Sequence, residues 1–203
     1  MKRYLVPAVV IAAVLFLLFA FYANFDYSLR WIGKVTGIAG LLLLSLALVI
    51  GPLSKFRPDV FRPYKQYRKA FGIAGAALAI VHLVIFIDIY YHFDLLTAFS
   101  AANKSQWGFI LGAIATVVIA AVVSTSNKGA VKRLGYKTWK ALQMLAYLAV
   151  AIVLAHFYLY EAKKGLGAIQ LFALGFAAAV IIIRGIALLA GKPARKKFEE
   201  HVS

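Results

Sequence analysis

A chain of 203 residues that is 64% hydrophobic and 15% charged, with a mean hydropathy of +0.85, is too apolar for an ordinary soluble domain, whose apolar share is roughly 45–50%. It reads as an integral membrane protein with room for about six spans of ~20 residues and none for a separate soluble domain. The net charge of +16 lies mostly between apolar runs, which points to membrane topology and away from nucleic-acid binding.

The first apolar run, Leu5–Ala23, follows Met1-Lys2-Arg3, a start that a secretory signal also uses. Its length of ~19 residues, its ending in Phe19, Phe21 and Tyr22 and the lack of a small-x-small cleavage site predict a retained helix. The second run, Val35–Leu53, begins with Gly33-x-x-x-Gly37-x-x-Gly40; the third, Phe71–Ile87, carries Gly72-x-x-Gly75 and then His82. Small residues let membrane helices approach closely, so these glycines read as packing positions before they read as a cofactor cradle. The fourth run, Gly108–Val123, is near the short limit for crossing ~30 Å of hydrocarbon at 1.5 Å per residue. Leu142–Tyr160 holds His156, and Ala168–Ala190 holds Arg184. The expected fold is all-α, a single six-transmembrane-helix bundle over residues 1–203 with a basic tail at 191–203. Trp31, Tyr90, Tyr91, Trp107 and Trp139 fall at span ends, where aromatic anchors sit. No internal repeat is evident.

Charge sets the orientation. Lys2 and Arg3, the six Lys and Arg from Lys55 to Lys69, the five from Lys128 to Lys140, Arg184 and the four of the tail Lys192–Lys197 fall on one side. Arg30, Lys34, Lys104, Lys163 and Lys164 fall on the other. By the positive-inside rule both termini are cytoplasmic, in a prokaryotic cell (inner) membrane.

His82 and His156 lie well inside two runs predicted to be parallel, about 9 and 7.5 Å below Asp88 and Glu161 at 1.5 Å per residue. Ionisable groups at that depth are costly, and equal depth on separate helices suits the axial ligation of one flat macrocycle from both faces. The alternative is that each imidazole bonds a carbonyl or hydroxyl of a neighbouring helix as packing glue. The absence of Cys excludes thiolate ligation and covalent c-type haem, so any haem here is held non-covalently, and b-type is the expectation. His92 and His201 fall in a loop and in the tail and read as solvated. Arg184, inside the sixth run, calls for a role or a partner.

The stretch Arg68-Lys69-Ala70-Phe71-Gly72 with His82, then Arg133-Leu134-Gly135 with Trp139, Leu142 and Gln143, then Tyr147 and His156, resembles the ferric reductase-like transmembrane domain over about residues 35–190. Within it the chain resembles the haem-binding membrane subunits of the MsrQ type, which supply electrons to a periplasmic methionine sulfoxide reductase. Fuller members of that family place an inner and an outer haem ligand on each of two helices. The resemblance makes His82 and His156 the outer pair and puts Arg68 and Gln143 at the inner positions, where MsrQ-type relatives usually have a histidine in place of Gln143. Neither guanidinium nor carboxamide is a usual haem ligand, so one haem b is expected. A flavin (FMN or FAD) or a membrane quinol would then serve the inner half, with Arg68, Lys69, Arg133, Trp139, Lys140, Gln143 and Arg184 available to bind it. No G-x-G-x-x-G motif is present, so NAD(P)H would be oxidised by a separate cytoplasmic flavin reductase.

The resulting expectation is a b-type cytochrome subunit that passes electrons from a cytoplasmic flavin reductase or a quinol to an extracytoplasmic oxidoreductase such as a methionine sulfoxide reductase. Direct reduction of ferric ions or oxygen is the nearest alternative. A transporter would use polar residues near mid-membrane, but broken helices and paired inverted repeats are not evident, and a non-redox anchor would have no use for the paired histidines beyond packing.

Overall fold

The computed structural model describes residues 2–161 and 165–190, and every regular element in them is helical. Lys163, Lys164, the basic tail and His201 lie outside the described residues. In chain order the elements are α1 (Lys2–Phe21), α2 (Leu29–Phe56), the one-turn α3 (Pro58–Phe61), a 3-10 turn (Pro63–Tyr67) and α4 (Arg68–Tyr91). There follow α5 (Leu95–Phe99), α6 (Gln106–Ser124), α7 (Lys128–Glu161) and α8 (Ala168–Leu189). Six of them, α1, α2, α4, α6, α7 and α8, are long and apolar enough to cross a membrane.

Four of these six contain their apolar runs and extend beyond them, while α1 ends at Phe21 and α8 at Leu189, two residues and one residue short of theirs. α2 starts at Leu29 instead of Val35, and α4 at Arg68 instead of Phe71. Hydropathy marks only the hydrocarbon-matched part of a helix, while the backbone hydrogen bonds continue into the interface. α7 is interrupted at Gly135, where φ 72° and ψ 154° lie in a region essentially reserved for glycine. The segment 128–134 is therefore a lead-in set at an angle to the span that follows.

α2 is the central helix, packed against α1, α4, α7 and α8. Most of its residues are buried, whereas most residues of the other spans are half-buried or exposed, as in helices facing lipid. Its closest partner is α4. A methyl added at Gly75 would lie 2.8 Å from Leu44 Cγ and 3.0 Å from both the Gly40 carbonyl oxygen and the Leu44 amide nitrogen. Gly40 and Gly75, expected to serve packing, do so here, because only a hydrogen fits between the two backbones, whereas Gly37 faces the His82 ring and a methyl at Gly72 would meet nothing closer than 3.9 Å. A second antiparallel pair, α6 and α7, joins the first through the contact of α4 with α6. α8 closes the bundle against α2 and α7, burying Ala173, Ala177 and Val180. The outcome is two helix pairs, each ending in a histidine-bearing helix, around a common interior.

Candidate functional site

The first histidine hangs from α4 and meets α2. His82 Nδ1 lies 2.8 Å from the Gly33 carbonyl oxygen. A carbonyl only accepts, so Nδ1 carries the proton and donates, which leaves the lone pair on Nε2. One turn further along α2, Gly37 offers the ring a wall without a side chain.

The second histidine repeats the arrangement on the other helix pair. His156 Nδ1, on α7, donates to the Gly108 carbonyl of α6 at 2.7 Å, and Gly112 lies against the same ring. The hydrogen bonds expected of a packing role are thus present. They use only one nitrogen of each ring and so leave Nε2 available as a ligand.

The two ring centres are 6.3 Å apart, and their planes cross at 85°. Two metal–nitrogen bonds of about 2 Å laid end to end, with roughly 1 Å more from each nitrogen to its ring centre, span about 6 Å. The pair therefore has the separation of two imidazoles sharing one metal ion. Among the described residues there is no cluster of three or more His, Asp or Glu side chains, so two imidazoles alone would leave a metal's remaining positions empty. A planar tetradentate macrocycle supplies those positions itself. The donor set and spacing fit such a group.

Space is available for it. Both histidines line a cavity of about 620 Å³, within the usual range of roughly 300–1,000 Å³ for ligand sites. Its deeper wall is apolar, with Leu41, Leu44 and Ile119. Its end near α5 carries Arg30, Lys34 and Lys104 and no carboxylate. Lys34 sits over the Trp31 ring at 4.3 Å. Phe86 fills the gap between the histidine helices, its ring edge-on to Tyr160 at 5.1 Å, and Tyr160 in turn contacts His156 at 5.3 Å. Over the same end, Asp94 caps α5 by accepting from the hydroxyl and amide of Thr97 at 2.6 and 3.1 Å, bonds that hold its carboxyl below the usual carboxylate range.

The other candidate residues gather at the opposite, basic end without sharing one pocket. Arg68 Nε donates to the Ala47 carbonyl of α2 at 2.9 Å, its guanidinium resting against Gly51. Gln143 Nε2 donates to the Val122 carbonyl and the Thr125 hydroxyl of α6 and its C-cap at 3.0 and 3.3 Å. Trp139 Nε1 donates to the Thr125 carbonyl at 3.0 Å. Arg184 lies half-buried, with Nη2 3.1 Å from Met144 Sδ and the guanidinium 5.4 Å from the Tyr147 ring centre. Lys69, Arg133 and Lys140 are exposed, and so is His92 at the α5 end.

Sequence reasoning passed over Gly108, Gly112 and the three cations at the cavity mouth. The signal was present as a second Gly-x-x-x-Gly, Gly108 to Gly112, placed 48 residues before its histidine as Gly33 is placed 49 before His82.

The ferric reductase like transmembrane component family matches residues 36–154. The protein-methionine-sulfoxide reductase heme-binding subunit MsrQ of Caulobacter vibrioides is 30% identical over 122 residues, 59% of this chain and 56% of that protein. The protein of the same name from Deinococcus radiodurans is 30% identical over 148 residues, 70% of each. The magnetosome protein MamZ of Paramagnetospirillum magneticum is 22% identical over 129 residues, 64% of this chain and 20% of that much longer protein. The matches thus span from just over half to 70% of the two MsrQ proteins.

Proposed function

The chain belongs to the ferric reductase like transmembrane component family, and from that premise we propose that it is a b-type cytochrome membrane subunit carrying one haem between His82 and His156. When bound, the haem would supply a one-electron carrier. The observation that carries the reading is the pair of imidazoles 6.3 Å apart on the walls of one cavity, each held by its Nδ1–H on a glycine carbonyl.

The chain's own residues do the rest. The Gly33 and Gly108 carbonyls fix the tautomer of each ring and raise the basicity of Nε2, the nitrogen that would hold the iron. Two protein ligands would leave no open position for oxygen, which suits electron transfer. Arg30, Lys34 and Lys104 at the mouth would face the haem carboxylates, while the apolar depth excludes water. Arg68 Nε and Gln143 Nε2 donate to carbonyls of neighbouring helices and neither side chain carries a usual haem ligand, which supports one haem and no second at the basic end.

With the basic loops and both termini cytoplasmic, the haem lies toward the outer face. Electrons would enter at the basic end, from a cytoplasmic flavin reductase through FMN or FAD or from a membrane quinol. Lys69, Arg133 and Lys140 present exposed positive charge there for an anionic donor. They would leave to an extracytoplasmic methionine sulfoxide reductase, the partner that the names of the MsrQ relatives indicate.

The test is a reduced-minus-oxidised absorbance spectrum with a haem-to-protein ratio, on the wild type, His82→Ala and His156→Ala. One b-type haem per chain, lost or made five-coordinate in each variant, is the expected result. Haem-free protein after expression with ample haem would sink the reading, and two haems per chain would refute the single site.

A further inference from the structure

Resting on the two-imidazole haem reading above, we propose that Gly37 and Gly112 are positioning residues that turn the two histidine rings, so that the axial imidazole planes stand crossed at right angles over a single haem. Each glycine sits one helical turn after the glycine whose carbonyl receives the ring's Nδ1–H. One turn of helix therefore provides both the hydrogen-bond acceptor and a flat wall on the same face.

The space is closed to any larger residue. A methyl at Gly37 would lie 2.8 Å from Nδ1 and 3.0 Å from Cε1 of His82. At Gly112 it would lie 2.7 and 2.8 Å from the same atoms of His156. The contacted edge of each ring is the edge held by the carbonyl, so the ring cannot yield without rotating or giving up that bond. The two slots belong to different helix pairs, and the rings they hold cross at 85°.

The crossed arrangement has an electronic signature. Each imidazole donates π density into the iron d orbital perpendicular to its own plane. Parallel rings donate into the same orbital and split the dxz and dyz pair, which gives a rhombic low-spin EPR spectrum with three resolved features. Crossed rings donate one to each, keep the pair nearly degenerate and give a single, strongly anisotropic line at low field.

The experiment is EPR of the oxidised, haem-loaded protein in detergent, with haem content measured alongside. The wild type is expected to show the low-field line. Gly37→Ala and Gly112→Ala should keep haem but move the signal toward the rhombic pattern or to five-coordinate high spin. Two other variants separate ring rotation from general damage. Gly72→Ala, whose methyl would sit 3.9 Å from Ala47 Cβ, should behave as wild type. Gln143→Leu, which removes the hydrogen bonds to the Val122 carbonyl and the Thr125 hydroxyl away from both rings, should lose stability with the line unmoved.

A rhombic wild-type spectrum on a haem that His82→Ala and His156→Ala both release would overturn the crossed rings and leave the haem reading standing. Wild-type protein that takes up no haem would overturn both. An unmoved line in Gly37→Ala and Gly112→Ala would remove the glycines from the positioning role. If one alanine variant does not accumulate, the wild-type spectrum still decides the ring angle and the other variant decides the glycine's part.

Discussion

Gly75→Ala should destabilise the bundle, and Gly72→Ala, nearly one turn earlier on the same helix, should not. At Gly75 the new methyl would lie 2.8 Å from Leu44 Cγ and 3.0 Å from two backbone atoms of α2. No flexible side-chain end can swing aside, so α2 and α4 must separate. Overpacking of this kind costs about 1–3 kcal/mol. Alanine also gains about 0.8–1 kcal/mol over glycine inside a helix, but both variants share that gain and it cancels between them. The difference between the two is then the steric cost alone, roughly a fivefold to hundredfold change in the folded-to-unfolded ratio. Reversible unfolding in mixed detergent with rising SDS, followed by far-UV circular dichroism, reads that difference directly. Gly72→Ala should match or exceed the wild type, because its nearest new contact is an ordinary 3.9 Å. Equal midpoints for the two variants would refute the close α2–α4 crossing and, with it, the register that brings His82 to Gly33.

Replacing Arg30, Lys34 and Lys104 together by Gln should weaken reconstitution of the apo-protein with haem roughly threefold to a hundredfold, from about 0.2–1 kcal/mol for each exposed ion pair. Haem dimethyl ester, whose carboxylates are blocked, should bind the wild type and the triple variant alike; an equal loss for both forms would show that the cations do not meet the carboxylates. Gln143→Leu should keep the wild-type haem content and spectrum and lose about 0.6 kcal/mol per interhelical hydrogen bond removed, read from the same SDS titration. A loss of half the haem would instead place Gln143 against the cofactor.

Much of this fold is written in hydropathy, and the part that is not depends on helix rotation. Six apolar runs announce six spans because the bilayer fixes their length, yet nothing in hydropathy marks where α2 continues out to Leu29 or where α7 turns at Gly135. The histidines were legible because an ionisable side chain within an apolar run is exceptional. The glycines beside them were not, since Gly33-x-x-x-Gly37 reads the same whether it faces another backbone or an imidazole. Gly40 faces the backbone at Gly75, while Gly37, one turn away on α2, faces a ring. Only the rotation of α2 against α4 separates the two roles. The charges at 30, 34 and 104 read as topology in the sequence, and it takes the cavity to show that they line one common space.

The helix pairs repeat each other at both ends, although the sequence shows no repeat. In the pair α2 and α4, Arg68 bonds the carbonyl 21 residues earlier and His82 the one 49 earlier. In the pair α6 and α7, Gln143 bonds the carbonyl 21 residues earlier and His156 the one 48 earlier. The second helix of each pair is thus pinned to the first at two levels by a side-chain donor and a backbone acceptor. Histidine at a pinning position keeps one nitrogen for the seam and offers the other to a metal. Arginine has no acceptor atom to offer, and glutamine's oxygen is 3.4 Å from the Ser126 hydroxyl. Exchange of an imidazole for either residue at the basic level therefore removes a ligand without removing the hydrogen bond that sets the register. The level near α5 keeps its two imidazoles, 6.3 Å apart, on the same frame.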